Sequence, residues 1–159
     1  MKKLRAFALA IALAIVSSAV ATAAWPVQDR YSYVSQSFHD GHRGMDLAAD
    51  RGTKVASIGN GKVVFAGWKS NCGGYQVWIR HPDGVTYSAY YHLSKEVTYA
   101  GEYVTGESEV IGYVGSTGCA SGPHVHTEVW KGYPWRTGSY RVNPYNYVMK
   151  GTWLPYRYR

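Results

Sequence analysis

Four of the six histidines in this chain fall, with one aspartate, into three short groups. His42 and Asp46 lie in Gly41-His42-Arg43-Gly44-Met45-Asp46, and His92 lies in Tyr90-Tyr91-His92-Leu93. His124 and His126 lie in Gly122-Pro123-His124-Val125-His126-Thr127-Glu128. On a β-strand, residues i and i+2 share a face, so His124, His126 and Glu128 would project together. Two imidazoles so placed can reach one small cation, at roughly 2.0–2.1 Å per bond for zinc. They can equally divide into one ligand and one acid–base group, or simply be polar residues on a wet strand face. The gap from His42 to Asp46 suits one face of a helix, but Gly41 and Gly44 disfavour a helix there. A turn feeding an extended Asp46-Leu47-Ala48-Ala49 is expected instead. His42, Asp46 and one of His124 or His126 make three protein ligands. Three ligands and an open position describe a catalytic zinc site rather than a structural one, and Cys-rich ligand spacing is absent. His92 and the other member of the pair are then left for proton transfer. Zinc lowers the pKa of bound water to about 7, and histidine titrates in that range. No His-Glu-x-x-His stretch supplies a glutamate base.

These groups need a rigid frame, and the intervening sequence reads as short strands. Lys54–Ile58 and Lys62–Ala66 flank Gly59-Asn60-Gly61, a pair of strands around a strong hairpin signal. Residues 75–80 and 85–90 flank His81-Pro82-Asp83-Gly84, a second hairpin. Residues 109–114 and 123–130 read as two further strands. No window carries a helical period of useful length, and no internal repeat or Pro/Ser-rich linker is present. Many short strands with Gly-rich turns argue for an all-β, mainly antiparallel domain of sandwich or barrel-like form.

Apolar residues make up 46% of the chain and charged residues 17%, which excludes a disordered acidic tail or a coiled coil. The N-terminus joins basic Met1–Arg5 to an apolar run over 6–20 and to Ala21-Thr22-Ala23-Ala24. That is the pattern of a secretory signal peptide over 1–24, and the run is short for a membrane span of roughly 20 residues. Removing it lowers the formal charge from +7 to +4. A domain over 25–149 and a basic aromatic arm over 150–159 are then expected. Residues 129–159 hold six basic side chains and no acidic one, together with Trp130, Trp135 and Trp153. In an exported protein such a surface suits an anionic cell-wall polymer better than nucleic acid. No stable membrane insertion is expected after cleavage. The two cysteines, Cys72 and Cys119, lie in loop-like sequence, and an even count in an exported protein predicts one disulfide. Its loop is worth roughly 3–4 kcal/mol in the chain-entropy model.

Taken together, the groups resemble the LytM-type, or lysostaphin-like, M23 zinc metallopeptidases. The family's H-x-x-x-D is matched by His42 to Asp46, its Y-x-H-L by Tyr90 to Leu93, and its G-P-H-x-H-x-E by Gly122 to Glu128. The stretches 54–67, 110–118 and 142–147 are also similar, so the resemblance covers about residues 36 to 148. It implies that His42, Asp46 and His126 bind one Zn2+ per chain, and that His92 and His124 flank the bound water. It implies hydrolysis of a peptide bond in peptidoglycan, in a groove over a mainly antiparallel sheet.

Substrate or oxyanion contacts are expected from Tyr90 and Tyr33, with Tyr31 and His39 as further upstream candidates. Glu128 is a candidate partner that orients a histidine. His39 and Asp40 are otherwise read as loop residues, and His81 as an exposed turn residue. The segment before His42 lacks an arginine often found in the family. The cysteines would border the groove and stiffen its rim if bridged. Two other functions compete with an exported, periplasmic or extracellular endopeptidase. An inactive wall-binding protein or amidase activator of the same fold would have lost ligands, whereas all five positions are filled. A D,D-carboxypeptidase of another type would carry a longer His-to-Asp gap.

Overall fold

A computed structural model describes residues 24–106 and 109–148. The expected leader and the arm over 150–159 lie outside the described residues. The chain forms strands β1 (Tyr33–Gln36), β2 (Met45–Ala48), β3 (Lys54–Ala56), β4 (Gly61–Lys69), β5 (Gly74–Arg80) and β6 (Thr86–Leu93). They are followed by β7 (Lys95–Glu96), β8 (Tyr103–Val104), β9 (Val110–Tyr113), β10 (His124–Lys131), β11 (Tyr140–Val142) and a 3-10 turn at Pro144–Tyr147. All strand pairs are antiparallel. The larger sheet runs β1-β2-β10-β6-β5-β4-β8, and a smaller one runs β3-β9-β7. Among the described residues no helix is long and apolar enough to cross a membrane.

Alternation sorts the larger sheet into two faces. Met45 and Leu47 of β2, Val77 and Ile79 of β5, and Val125 and Val129 of β10 are buried in one core with Val55 and Ile111 of the smaller sheet. The opposite face carries a second, aromatic cluster of Trp78, Tyr87, Tyr91 and Trp130 around Ala89. Asp46, His124, His126 and Glu128 alternate with the first core and so belong to this second face.

β10 is the axis of the sheet. One of its edges pairs with β6 over 126–131. The other is shared end to end, by β2 over 124–127 and by β11 over 129–131. The registers place His126 opposite Asp46 on one side and opposite Tyr91 on the other.

The hairpin expected at Gly59-Asn60-Gly61 does not form. β3 pairs with β9, and β4 pairs with β5 and β8. Gly61 serves close approach rather than a turn, since a Cβ there would meet the Arg80 carbonyl oxygen at 2.5 Å. The second hairpin forms as expected, β5 pairing with β6. Cys72 and Cys119 are joined in a disulfide, with Cα atoms 4.7 Å apart.

Candidate metal centre and groove

Asp46 and His126 face each other across β2 and β10, and His42 reaches them from the turn before β2. His126 Nδ1 lies 2.7 Å from Asp46 Oδ1, His42 Nε2 lies 3.1 Å from the same oxygen, and the two nitrogens are 3.1 Å apart. Tetrahedral zinc with bonds of 2.0–2.1 Å needs ligand atoms about 3.3 Å apart, so a small outward spread of these three atoms brings them to one face of such a site. Two imidazoles and a carboxylate also suit that ion chemically.

Each histidine is anchored through its other ring nitrogen, which fixes which nitrogen faces the groove. His42 Nδ1 donates to the Ser37 carbonyl at 3.0 Å. His126 Nε2 lies 3.4 Å from Glu128 Oε1. His92 Nδ1 donates to the Thr117 carbonyl at 2.8 Å, and His124 Nδ1 to the Gly122 carbonyl at 2.9 Å. The Nε2 atoms of His92 and His124 are thereby left for the groove, with the two rings 4.8 Å apart. His124 Nε2 is 3.9 Å from Asp46 Oδ2. Gly44 makes room for this assembly, because a Cβ there would stand 2.3 Å from His126 Cε1.

Electrostatics follow the packing. Burial opposes the Asp46 charge, but the His126 hydrogen bond and the nearby imidazoles outweigh it and hold the carboxyl below its usual value. Burial opposes the His126 charge too, yet Asp46 and Glu128 push its pKa up to about 9. His92 moves the other way. Burial lowers its pKa, and His124 and His126 lower it further against the Thr117 carbonyl. His92 is therefore a neutral imidazole at neutral pH, with a lone pair on Nε2.

How His92 reaches the groove is a departure from strand regularity. On an even strand it would share a face with Tyr90 and point into the core. His92 adopts a left-handed φ of 63°. The β5–β6 register slips at the same place, Tyr75 pairing with Leu93 but Val77 with Tyr90. This bulge turns Tyr91 and His92 to the groove together and returns Leu93 to the core. A non-glycine residue at such a φ costs about 1–3 kcal/mol and marks functional positions.

The same bulge corrects the expectation for Tyr90. Its side chain is fully buried, and its hydroxyl accepts from Ile58 N at 2.8 Å and lies 3.0 Å from Ser88 Oγ. It faces the core and cannot touch a substrate in the groove. Tyr33 stands on β1 opposite Ala48, which is itself opposite His124. It is 59% exposed and lies outside the groove lining. His39 Nδ1 accepts from Gly41 N and does not join the triad. His81 is half-buried rather than exposed, with its ring nitrogens 2.9 Å from the Asn60 carbonyl and 3.0 Å from Ser88 Oγ.

The five residues line one groove of about 390 Å³, bordered by Cys72, Cys119 and Trp135. The family pattern described as "Peptidase family M23" matches residues 40–144, which hold all five. The chain belongs to this family. Lysostaphin of Staphylococcus simulans is 42% identical over 85 residues, which are 54% of this chain and 17% of that protein. The solved catalytic domain of that peptidase superposes with a TM-score of 0.63 at 32% identity, covering 72% of this chain and 88% of the domain. The "DD-carboxypeptidase/endopeptidase Mpg" of Neisseria meningitidis is 42% identical over 103 residues, 65% of this chain and 22% of that protein. A "zinc containing peptidase" of Vibrio cholerae gives a TM-score of 0.61 at 31% identity, over 69% of this chain and 36% of that one. This M23 chain thus spans about a fifth of the length of the two curated relatives. A longer His-to-Asp gap does not separate it from every protein named a carboxypeptidase.

One network escaped sequence reasoning. Glu128 accepts from the Tyr91 hydroxyl at 2.6 Å and from Trp130 Nε1 at 2.7 Å. Arg141, directly opposite Trp130 on β11, brings Nε to 2.8 Å from Glu128 Oε1 as a charge contact without a directed hydrogen bond. Its guanidinium lies 4.4 Å from the Trp130 and Trp135 ring centroids. Trp135 Nε1 closes the ring of contacts by donating to the Tyr91 hydroxyl at 3.3 Å. This set fixes the carboxylate that holds His126. Its only sequence signal was the i, i+2 spacing from His126 to Glu128 to Trp130. The position of Arg141 depends on β11 sharing an edge of β10 with β2.

Proposed function

We propose that this protein is an exported zinc metalloendopeptidase that hydrolyses peptide bonds in peptidoglycan stem peptides or crossbridges. The observation that carries the reading is the convergence of His42 Nε2, Asp46 Oδ1 and His126 Nδ1 within 3.1 Å, beside two further anchored histidines. His42, Asp46 and His126 would hold the zinc ion, one per chain. When bound, such an ion supplies Lewis acidity toward a carbonyl oxygen and a water molecule.

The chain's own groups supply the proton traffic. His92 Nε2 accepts a proton from the water that attacks the scissile carbonyl, because burial keeps this imidazole neutral. The Thr117 carbonyl holds the ring in place during that transfer. The same Nε2 returns the proton to the leaving amine. His124, held through Nδ1 by the Gly122 carbonyl, presents Nε2 beside His92 to orient the attacking water. Glu128 and its partners keep the His126 ring from turning.

Relatives named lysostaphin and DD-carboxypeptidase/endopeptidase support a wall peptide as substrate. Peptidoglycan is the proposed partner, in the periplasm or outside the cell. Nucleic acid binding and membrane insertion after loss of the leader form no part of the reading. The rival reading, an inactive wall-binding protein or amidase activator, is disfavoured because all five groove positions are filled.

The test is a digest of purified peptidoglycan by the protein, with and without a zinc chelator, read by mass spectrometry. New peptide termini that vanish with chelator and return with zinc are expected. A zinc-loaded protein that opens no bond in any wall type would overturn the hydrolase reading.

A further inference from the structure

The groove continues past its rim. A second cleft of about 470 Å³ opens among Trp68, Lys69, Ser70, Asn71, Trp78 and Trp135. Asn71 and Trp135 line both spaces, so the two adjoin. Trp68 and Trp135 are 54% and 53% exposed, while Trp78 is 4% exposed. Single exposed aromatic residues are ordinary, but two indoles lining one cleft are a patch. Trp135 is also held in place against its backbone preference. Its φ is 66°, a region a bulky residue rarely adopts, and Tyr91, Trp130 and Arg141 all contact its ring. Proton transfer and metal binding need no indole there.

The chemistry around these rings points to a ligand that is flat, with apolar faces and a polar rim. An indole face carries negative charge density and attracts polarised C–H groups. The polar groups of the cleft are free to meet a polar rim. Ser70 Oγ, Trp68 Nε1 and the Asn71 amide nitrogen make no hydrogen bond to the described residues, Asn71 being engaged only through Oδ1. The Lys69 ammonium lies 4.6 Å and 5.1 Å from the Phe65 and Trp78 ring centroids, which fixes it beside the cleft. A pyranose ring has this distribution of C–H faces and peripheral hydroxyls. An extended peptide does not, since its polar groups recur along its length.

We propose that the cleft lined by Trp68 and Trp135 is a saccharide subsite, which takes a hexosamine ring of the glycan strand while the attached peptide enters the metal groove. The inference rests on the peptidoglycan reading for its choice of glycan, but its test does not require hydrolysis. Chitotetraose is titrated into the protein and followed by tryptophan fluorescence and calorimetry. The same is done with Trp68→Ala and with Trp68→Phe, which keeps a flat face. In parallel, kcat/KM is measured on intact peptidoglycan and on a free crossbridged peptide.

Saturable chitotetraose binding is expected, weakened about tenfold in Trp68→Ala and largely restored in Trp68→Phe. Turnover of intact wall should fall in Trp68→Ala while turnover of the free peptide stays unchanged. Absence of chitotetraose binding to the unaltered protein would overturn the proposal. So would an equal loss on both substrates, which would make the cleft a peptide subsite. Chitotetraose binding without cleavage of any wall would leave the subsite standing and remove the hydrolase reading alone.

Discussion

β2 and β6 flank β10 on opposite sides at His126 and Thr127, yet they deliver side chains to the groove by different routes. β2 does so by strict alternation, with Met45 and Leu47 buried and Asp46 turned out opposite His126. β6 does so by breaking alternation, so that neighbours Tyr91 and His92 both face out. The regular side fixes the atoms proposed to share one ion at close range. The irregular side places the proposed proton carrier, His92, one step further along, at the cost of a strained residue. Regular pairing thus suits the proposed ligands, and of the five groove residues only His92 carries backbone strain.

The largest effect should come from breaking the regular side. Asp46→Ala or His126→Ala is expected to lose bound zinc and at least a thousandfold in activity, well beyond the roughly 10–100-fold cost of an outer partner. Metal content by mass spectrometry and the wall digest check this together, and full activity in His126→Ala would refute the ligand assignment. His92→Ala breaks the other side. It should keep its zinc while kcat falls by about 10²–10⁴, and unchanged turnover would remove the proton-transfer role.

Gly44→Ala sharpens the contrast by pressing on the regular side without deleting a ligand. The new methyl group displaces His126, and zinc affinity should drop by about 10–100-fold in a competition titration, while the circular dichroism spectrum stays unaltered. The smallest effect lies away from both. Burial lowers the His81 pKa, with the Asn60 carbonyl opposing it. As pH falls below about 6.5, the unfolded chain takes up this proton first and stability declines, until the folded-state pKa is passed. His81→Gln should therefore lose less stability between pH 8 and pH 5 than the unaltered protein, as read by thermal melting. An identical pH dependence in both would exclude His81 as a contributor.

The legible parts of the molecule are those where side-chain period maps directly onto face. His124, His126 and Glu128 on one side of a strand, and Asp46 extended after a turn, follow from spacing two alone. The second hairpin follows from its Pro-Asp-Gly turn. Spacing failed at Tyr90, because the bulge at His92 shifts the period in a place no composition marks. It failed at Asn60-Gly61, where a turn-forming pair serves strand entry and close approach to Arg80. It missed Arg141, since edge sharing on β10 is a property of the whole sheet and leaves no local trace.

The centre also spans a long stretch of chain. His126 is separated from Asp46 by 80 residues and from His42 by 84. His42 and Asp46 share one local turn, but no hairpin or other local fragment holds them together with His126. Contacts of such separation form slowly, after loop-closure entropy has been met. The three candidate ligands therefore meet only once β2 and β10 have paired, and a partly folded chain does not bring them together.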